Sequence, residues 1–164
     1  MTDEVKAKKK RVIIQLLVKI ITTCVLLIAM FTMIIKMHYY NENGMHPAIQ
    51  RGSLLIAYRI DSPNRNDIVI YKGEHDSVGR LVAFENDVVD VSDTGELLIN
   101  GVPSGIEVYF PTETGSKVSF PHTVSKNYCF ILNDYRPDMN DSRTYGDIPI
   151  DSVYGPLLFG ISKY

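Results

Sequence analysis

The sequence predicts a mainly β domain, built from antiparallel sheets, behind a single N-terminal transmembrane helix. Three observations predict it. Residues 12–35 form a long apolar run with basic residues on its N-terminal flank. After residue 37 the helical period vanishes, and short β-branched and aromatic runs alternate with turn residues. The charge divides near the same point: residues 1–36 carry +5 (seven basic, two acidic), and the remaining 128 carry −7 (ten basic, seventeen acidic).

Between Val12 and Ile35 the only charge is Lys19. The uncharged residues 20–35 would make roughly 24 Å of helix, short of a hydrocarbon core of about 30 Å. Adding residues 12–18 supplies the length, with Lys19 reaching back toward the basic flank. The residues that follow, Lys36-Met37-His38-Tyr39-Tyr40, are bulky, whereas signal-peptide cleavage needs small side chains. The segment therefore reads as an uncleaved signal-anchor. Lys8, Lys9, Lys10 and Arg11 hold the N-terminus in the cytoplasm and place the C-terminal domain outside the cell membrane, with Tyr39 and Tyr40 at the outer interface. The expected organisation is a cytoplasmic basic terminus (1–11), a membrane span (12–36) and an extracytoplasmic β domain (37–164).

In that domain the alternation predicts strands over 54–60, 67–71, 79–84, 88–91, 97–100, 128–132 and 154–161. Asp93-Thr94-Gly95 and Asn100-Gly101 are hairpin turns, and Ser62-Pro63-Asn64 and Arg136-Pro137-Asp138 are loops. Residues 105–124 alternate weakly and contain two prolines; an excursion from the core and a hairpin beside a groove fit them equally. The acidic domain argues against nucleic acid as a partner, because phosphate binding needs concentrated positive charge. Cys24 and Cys129 read as small buried hydrophobes rather than a disulfide. His38, His46, His75 and His122 lack metal-ligand spacing, and there is no glycine-rich phosphate loop. No metal or cofactor is expected.

Five segments, in order, carry a family resemblance. They are Met45-His46-Pro47-Ala48 with Gly52-Ser53, Arg65-Asn66-Asp67-Ile68-Val69, Val78-Gly79-Arg80-Leu81-Val82-Ala83, GELLINGVP at 95–103, and NDYRPDMNDSRTYG at 133–146. Behind a signal-anchor this series resembles the type I signal peptidases, membrane-anchored serine proteases that cleave signal peptides with a Ser/Lys dyad on a β fold. Their boxes run near Ser-Met-x-Pro-Thr then Gly-Asp, Arg-Gly-Asp-Ile-Val, Val-Lys-Arg-Ile-Ile-Gly, a Leu/Tyr-Ile-Asn-Gly hairpin, and Gly-Asp-Asn-Arg-x-x-Ser-x-Asp-Ser-Arg-x-x-Gly.

What the resemblance implies at the site departs from the family. A serine hydroxyl attacks only when a base takes its proton, and the family's base is a lysine kept neutral by desolvation. Here Gly44 stands at the nucleophile position, Gly79 at the base position, and Met139 where a further serine holds the lysine. Glycine has no side chain, and methionine offers only a weak thioether acceptor. Glu42 would repel a developing oxyanion. A desolvated lysine with no partner costs several kcal/mol, so its loss together with the serine is intelligible. The resemblance also implies two structural ion pairs, Arg80 with Asp134 and Asp141 with Arg143, and a peptide groove lined by Met45, His46, Pro47, Leu81 and Val82. Relocated catalysis would have to draw on Ser53, Ser77, Ser142 or His46, none of which sits in sequence beside a partner.

Signal-peptidase-like proteins lacking the dyad occur in pilus gene clusters of Gram-positive bacteria. The resemblance to that subgroup implies a non-catalytic membrane protein that assists pilus polymerisation by binding a pilin or a sortase. The alternatives are an active signal peptidase with displaced catalytic groups, and a regulator that binds signal peptides.

Overall fold

A computed structural model describes residues 3–73, 75–106, 109–115 and 117–162, with side chains from residue 6 onward. Helix α1 runs Asp3–Ile34. Within Lys6–Ile34, the most apolar 18-residue window has a mean hydropathy of 2.5, and none of that window is buried. The helix is long and apolar enough to cross a bilayer. The Thr22 hydroxyl donates back to the Val18 carbonyl at 3.0 Å and the Thr32 hydroxyl to Ala29 at 2.9 Å, so both stay hydrogen-bonded within the helix itself. Cys24 is exposed on this helix rather than buried. The helix stops two residues before the expected end of the span, because the next strand opens at Ile35. Residues 36–164 form a second compact unit.

That unit is antiparallel β. Its strands are β1 Ile35–Tyr40, β2 Ser53–Tyr58, β3 Ile68–Lys72, β4 Asp76–Phe84, β5 Val88–Val91, β6 Leu97–Ile99, β7 Val102–Pro103, β8 His122–Thr123, β9 Tyr128–Leu132, β10 Ile148–Pro149 and β11 Val153–Ile161. One short helix, α2, covers Ser142–Tyr145. Seven strands form one sheet in the order β1-β2-β11-β3-β4-β9-β10, and four form a second in the order β7-β6-β5-β8. The last long strand therefore inserts between β2 and β3, pairing antiparallel with both. Gly155 permits this insertion. Its φ is +141°, and a β-carbon there would run into the Tyr58 carbonyl.

The central strands are buried on both faces. Along β3, Val69 and Tyr71 belong to one apolar cluster and Ile70 to another; along β9, Cys129 and Ile131 alternate with Phe130 and Leu132. The alternation follows the two-residue period of a strand. A register shift between Leu81 and Ala83, opposite Ile131 and Phe130, lets Val82 and Ala83 enter the same cluster. Of residues 105–124, Glu107, Val108 and Ser116 lie outside the described residues. Of the rest, the Thr112 amide donates to the Gly95 carbonyl at 2.8 Å and Phe110 packs edge-on to Tyr135 at 5.0 Å, while Val118 and Val124 enter the core and β8 pairs with β5.

Candidate functional site

The chain brings its sequence-predicted site residues to the end of β9 and the loop after it. Asp141 caps α2, with its carboxylate accepting from the Arg143 amide at 3.0 Å and from the Asn133 amide at 3.0 Å. The Arg143 guanidinium grips the same carboxylate, Nε to Oδ1 at 2.9 Å and Nη2 to Oδ2 at 2.7 Å. It also donates to the backbone carbonyls of Arg136 and Asp138, each at 2.8 Å. Both side chains are fully buried. Arg80 on β4 forks onto Asp134, Nε to Oδ1 at 2.7 Å and Nη2 to Oδ2 at 2.5 Å, and its third nitrogen donates to Asn66 O at 2.7 Å. These are bidentate, charge-assisted contacts, and together they fix loop 133–143 against the sheet.

Gly44 and Gly79 face that same strip of backbone. The Gly44 carbonyl accepts from the Tyr135 amide at 2.8 Å. A β-carbon on Gly44 would lie 2.7 Å from Asn133 Nδ2 and 2.8 Å from its Cγ. A β-carbon on Gly79 would run into the Cγ2 methyl of Ile131 and lie 3.6 Å from the Tyr71 ring. Ile131 lies near the end of β9 and Asn133 is the first residue after it, so the two stand close along the chain. The two glycines therefore converge on one short patch, and a side chain from that patch occupies the space beside each. Tyr71, beside Gly79, has its phenol pushed up by burial, reinforced by the Asp141 carboxylate.

Asn133 was not singled out in the sequence, yet the signal was visible. It opens the last of the five resembled segments, and its side chain lies where a β-carbon on Gly44 would stand. The asparagine amide is held by a 3.3 Å hydrogen bond to the Asp138 carbonyl.

The expected groove needs correcting at three residues. Met45, Leu81 and Val82 have no exposed surface. Met45 packs with Tyr40, Ile49 and Leu55, Leu81 with Val69 and Ile131, and Val82 with Val89 and Phe130. For Leu81 and Val82 the cause is the two-faced burial of the sheet, which gives core duty to residues on both sides; Met45 lies in the turn between β1 and β2, which folds it into the core. His46 and Pro47 are exposed, and His46 lines a cavity of about 280 Å³ with Asn43 and Tyr135. Met139 is partly buried and Glu42 exposed. The Met45 amide donates to the Tyr40 hydroxyl at 2.8 Å, whose acidity burial lowers to a pKa of about 12.

The serines considered for relocated catalysis are engaged elsewhere. Ser53 donates to Gln50 O at 2.6 Å, and Ser77 to His75 O at 3.3 Å. Ser142, fully buried, accepts from the Ile131 amide at 2.9 Å. The Cys129 thiol is pushed up to about 12 by burial and contacts the Ile148 carbonyl at 3.4 Å, the environment of an inert core thiol.

An anchor-grade helix, a two-sheet antiparallel domain and paired Arg/Asp charges around a site at the end of β9 define a signal-peptidase-like protein. The chain belongs to the family described as signal peptidase, peptidase S26, whose model matches residues 13–161. It is similar to thylakoidal processing peptidase 1, chloroplastic, of Arabidopsis thaliana, at 32% identity over 136 residues, covering 72% of this chain and 39% of that protein. It is also similar to the probable thylakoidal processing peptidase 2 of that plant, at 32% over 133 residues, covering 72% and 35%. The chain thus spans less than two fifths of the length of these relatives. A signal peptidase I from Enterococcus faecalis overlays 58% of this chain and 97% of its own, at a TM-score of 0.48 and 24% identity.

Proposed function

We propose that this protein is a membrane-anchored, non-catalytic member of the signal peptidase family that acts by binding polypeptide. The observation that carries the reading is the double occupancy at the former dyad. Gly44 and Gly79 bring no functional group, and the Asn133 carboxamide and Ile131 methyl fill the space where β-carbons would stand. Loss of serine and lysine alone would leave a vacancy. Here the neighbours have closed over it, while both Arg/Asp pairs that hold the surrounding loop are kept. Binding an extended peptide needs backbone hydrogen bonds and pockets rather than a nucleophile, so such a scaffold keeps a use.

The resemblance to dyad-less proteins of Gram-positive pilus clusters supplies the partner class: the extracytoplasmic domain engages a pilin or a sortase and promotes pilus polymerisation at the cell membrane. Two measurements test the reading. The purified full chain, incubated with a signal-peptide substrate, gives no turnover above the protein-free control; turnover abolished by a single serine substitution would establish displaced catalysis instead. Deleting the gene lowers the amount of high-molecular-weight pilus polymer on the cell, and the protein co-purifies with pilin or sortase. Polymer unchanged by the deletion would remove the pilus assignment. Tight binding of isolated signal peptides would point to a regulator.

A further inference from the structure

Loop 133–143 and the β4 segment beside it contain three arginines in close company and two aspartates that serve them. Arg80 has Asp134 and Arg143 has Asp141. Among the described residues Arg136 has none: it is fully buried, and its Nε, Nη1 and Nη2 make no hydrogen bond there. Burial, reinforced by the neighbouring Arg143 charge, brings its pKa down to about 10, which still leaves it cationic at neutral pH. An unpaired charge out of water is among the costliest groups a fold can carry, and such a group calls for a specific explanation. The Asp138 carboxylate offers none, because it is engaged by Asn140.

The Arg136 side chain has no exposed surface of its own, yet it lies against a cleft. It lines an open cavity of about 1050 Å³ whose other walls include Leu97, Ile106, Tyr109 and Phe110. The Tyr109 ring is 80% exposed and Phe110 39%. A buried cation behind the wall of a cleft that mixes aromatic rings with polar groups is an arrangement that suits a ligand with an anionic end and an apolar body. Guanidinium is also the side chain best matched to a planar carboxylate, through two parallel N–H···O bonds.

We propose that this cleft binds a carboxylate carried on an apolar or aromatic body, with Arg136 as its anchor and Tyr109 and Phe110 packing against the body. Two sources share that chemistry, a free organic acid and the C-terminal carboxylate of a polypeptide. Glu96, exposed at the rim, works against the anion through solvent and is screened by salt, so it tunes the affinity without abolishing it. The proposal goes beyond the reading of the Gly44–Gly79 patch, because neither glycine lines this cleft. It stands whether or not the protein binds pilin.

The test is calorimetric titration of the full chain in detergent with benzoate, then with N-acetyl-phenylalanine and a short peptide ending in Phe, each as acid and as amide. Each acid is expected to bind at least tenfold more tightly than its amide, and Arg136→Met to erase that difference. Arg136→Lys keeps the charge but not the fork and binds acids with intermediate affinity. Preference for the peptide acid over benzoate and N-acetyl-phenylalanine assigns the site to chain termini, and the reverse assigns it to small acids. Equal binding of acid and amide by the wild-type chain would overturn the proposal without any variant having to fold. So would acid binding by Arg136→Met at wild-type strength.

Discussion

The two Arg/Asp pairs and the two buried glycines lie close together in the molecule and differ in what meets each position. At Arg80–Asp134 and Asp141–Arg143 every charge has its fork, and Arg80, Asp141 and Arg143 have backbone partners as well. At Gly44 and Gly79 the functional groups of the resembled boxes are absent, and Asn133 and Ile131 stand against the glycines. The contrast separates side chains that the fold needs from positions where it admits none. Removing one member of a buried pair strands its partner, whereas removing a serine and a lysine leaves only volume, which neighbours can fill.

The sharpest way to break the comparison is to strand a charge. Asp141→Ala leaves Arg143 fully buried with no carboxylate and also removes the cap of α2 and the acceptor for the Asn133 amide. The expected loss is about 3–5 kcal/mol, read as a fall in the denaturant midpoint of the full chain in detergent. A loss below 1 kcal/mol would mean that the pair is dispensable and that its retention needs another reason.

Much of this architecture was legible in advance, and the illegible part has a physical pattern. Strands 88–91 and 128–132 match their expected bounds because each is a β-branched or aromatic run closed by turn residues. The helix was legible from its apolarity, but β1 was hidden, because Ile35 and Lys36 continue the composition of the span while adopting extended backbone. Strands β7, β8 and β10 are two residues each, too short to carry a period. Within the site, sequence order matched the charge pairs to their partners. It could not say that Leu81 and Val82 face the core, since a strand buried on both sides leaves no polar face to mark the other, nor that the turn residue Met45 does. Nor could it reveal that Arg136, one arginine among several in a familiar box, lacks a partner; absence of a contact is not written in a motif.

A second comparison sets the two filled positions against each other by restoring side chains. Gly79→Lys forces a β-carbon into the Cγ2 methyl of Ile131, which is attached near the backbone and cannot swing away. Gly44→Ser meets the end of the Asn133 carboxamide. Each single change is expected to cost about 1–3 kcal/mol as overpacking. Pairing Gly79→Lys with Ile131→Ala, and Gly44→Ser with Asn133→Gly, should recover part of that cost, with coupling on the order of 1 kcal/mol in each cycle. Additive losses would show that the neighbours did not close over the positions. The triple change Gly44→Ser, Gly79→Lys and Met139→Ser, leaving Ile131 and Asn133 in place, is expected to show at most weak peptidase turnover.

The smallest effect comes from a charge outside both regions. Burial alone would raise the Asp147 carboxyl, but hydrogen bonds from Ser125 and the His122 ring outweigh it and hold the group below its ordinary value. The Ser125 amide donates to Oδ2 at 2.8 Å, and His122 Nε2 lies 2.6 Å from Oδ1. A carboxyl depressed in the folded state contributes stability that is fully present above its unfolded pKa of about 3.9 and is lost as pH falls through the lower folded value. Stability should therefore decline below about pH 4. Asp147→Asn, which cannot ionise, should lower stability at neutral pH and flatten that decline, and Asp87, depressed likewise through the Phe84 amide, Asn100 and Arg65, accounts for part of the slope that remains. Parallel acid limbs in wild type and Asp147→Asn, measured by denaturant midpoints between pH 2.5 and 7, would show that the hydrogen bonds to Asp147 do not favour its charged form.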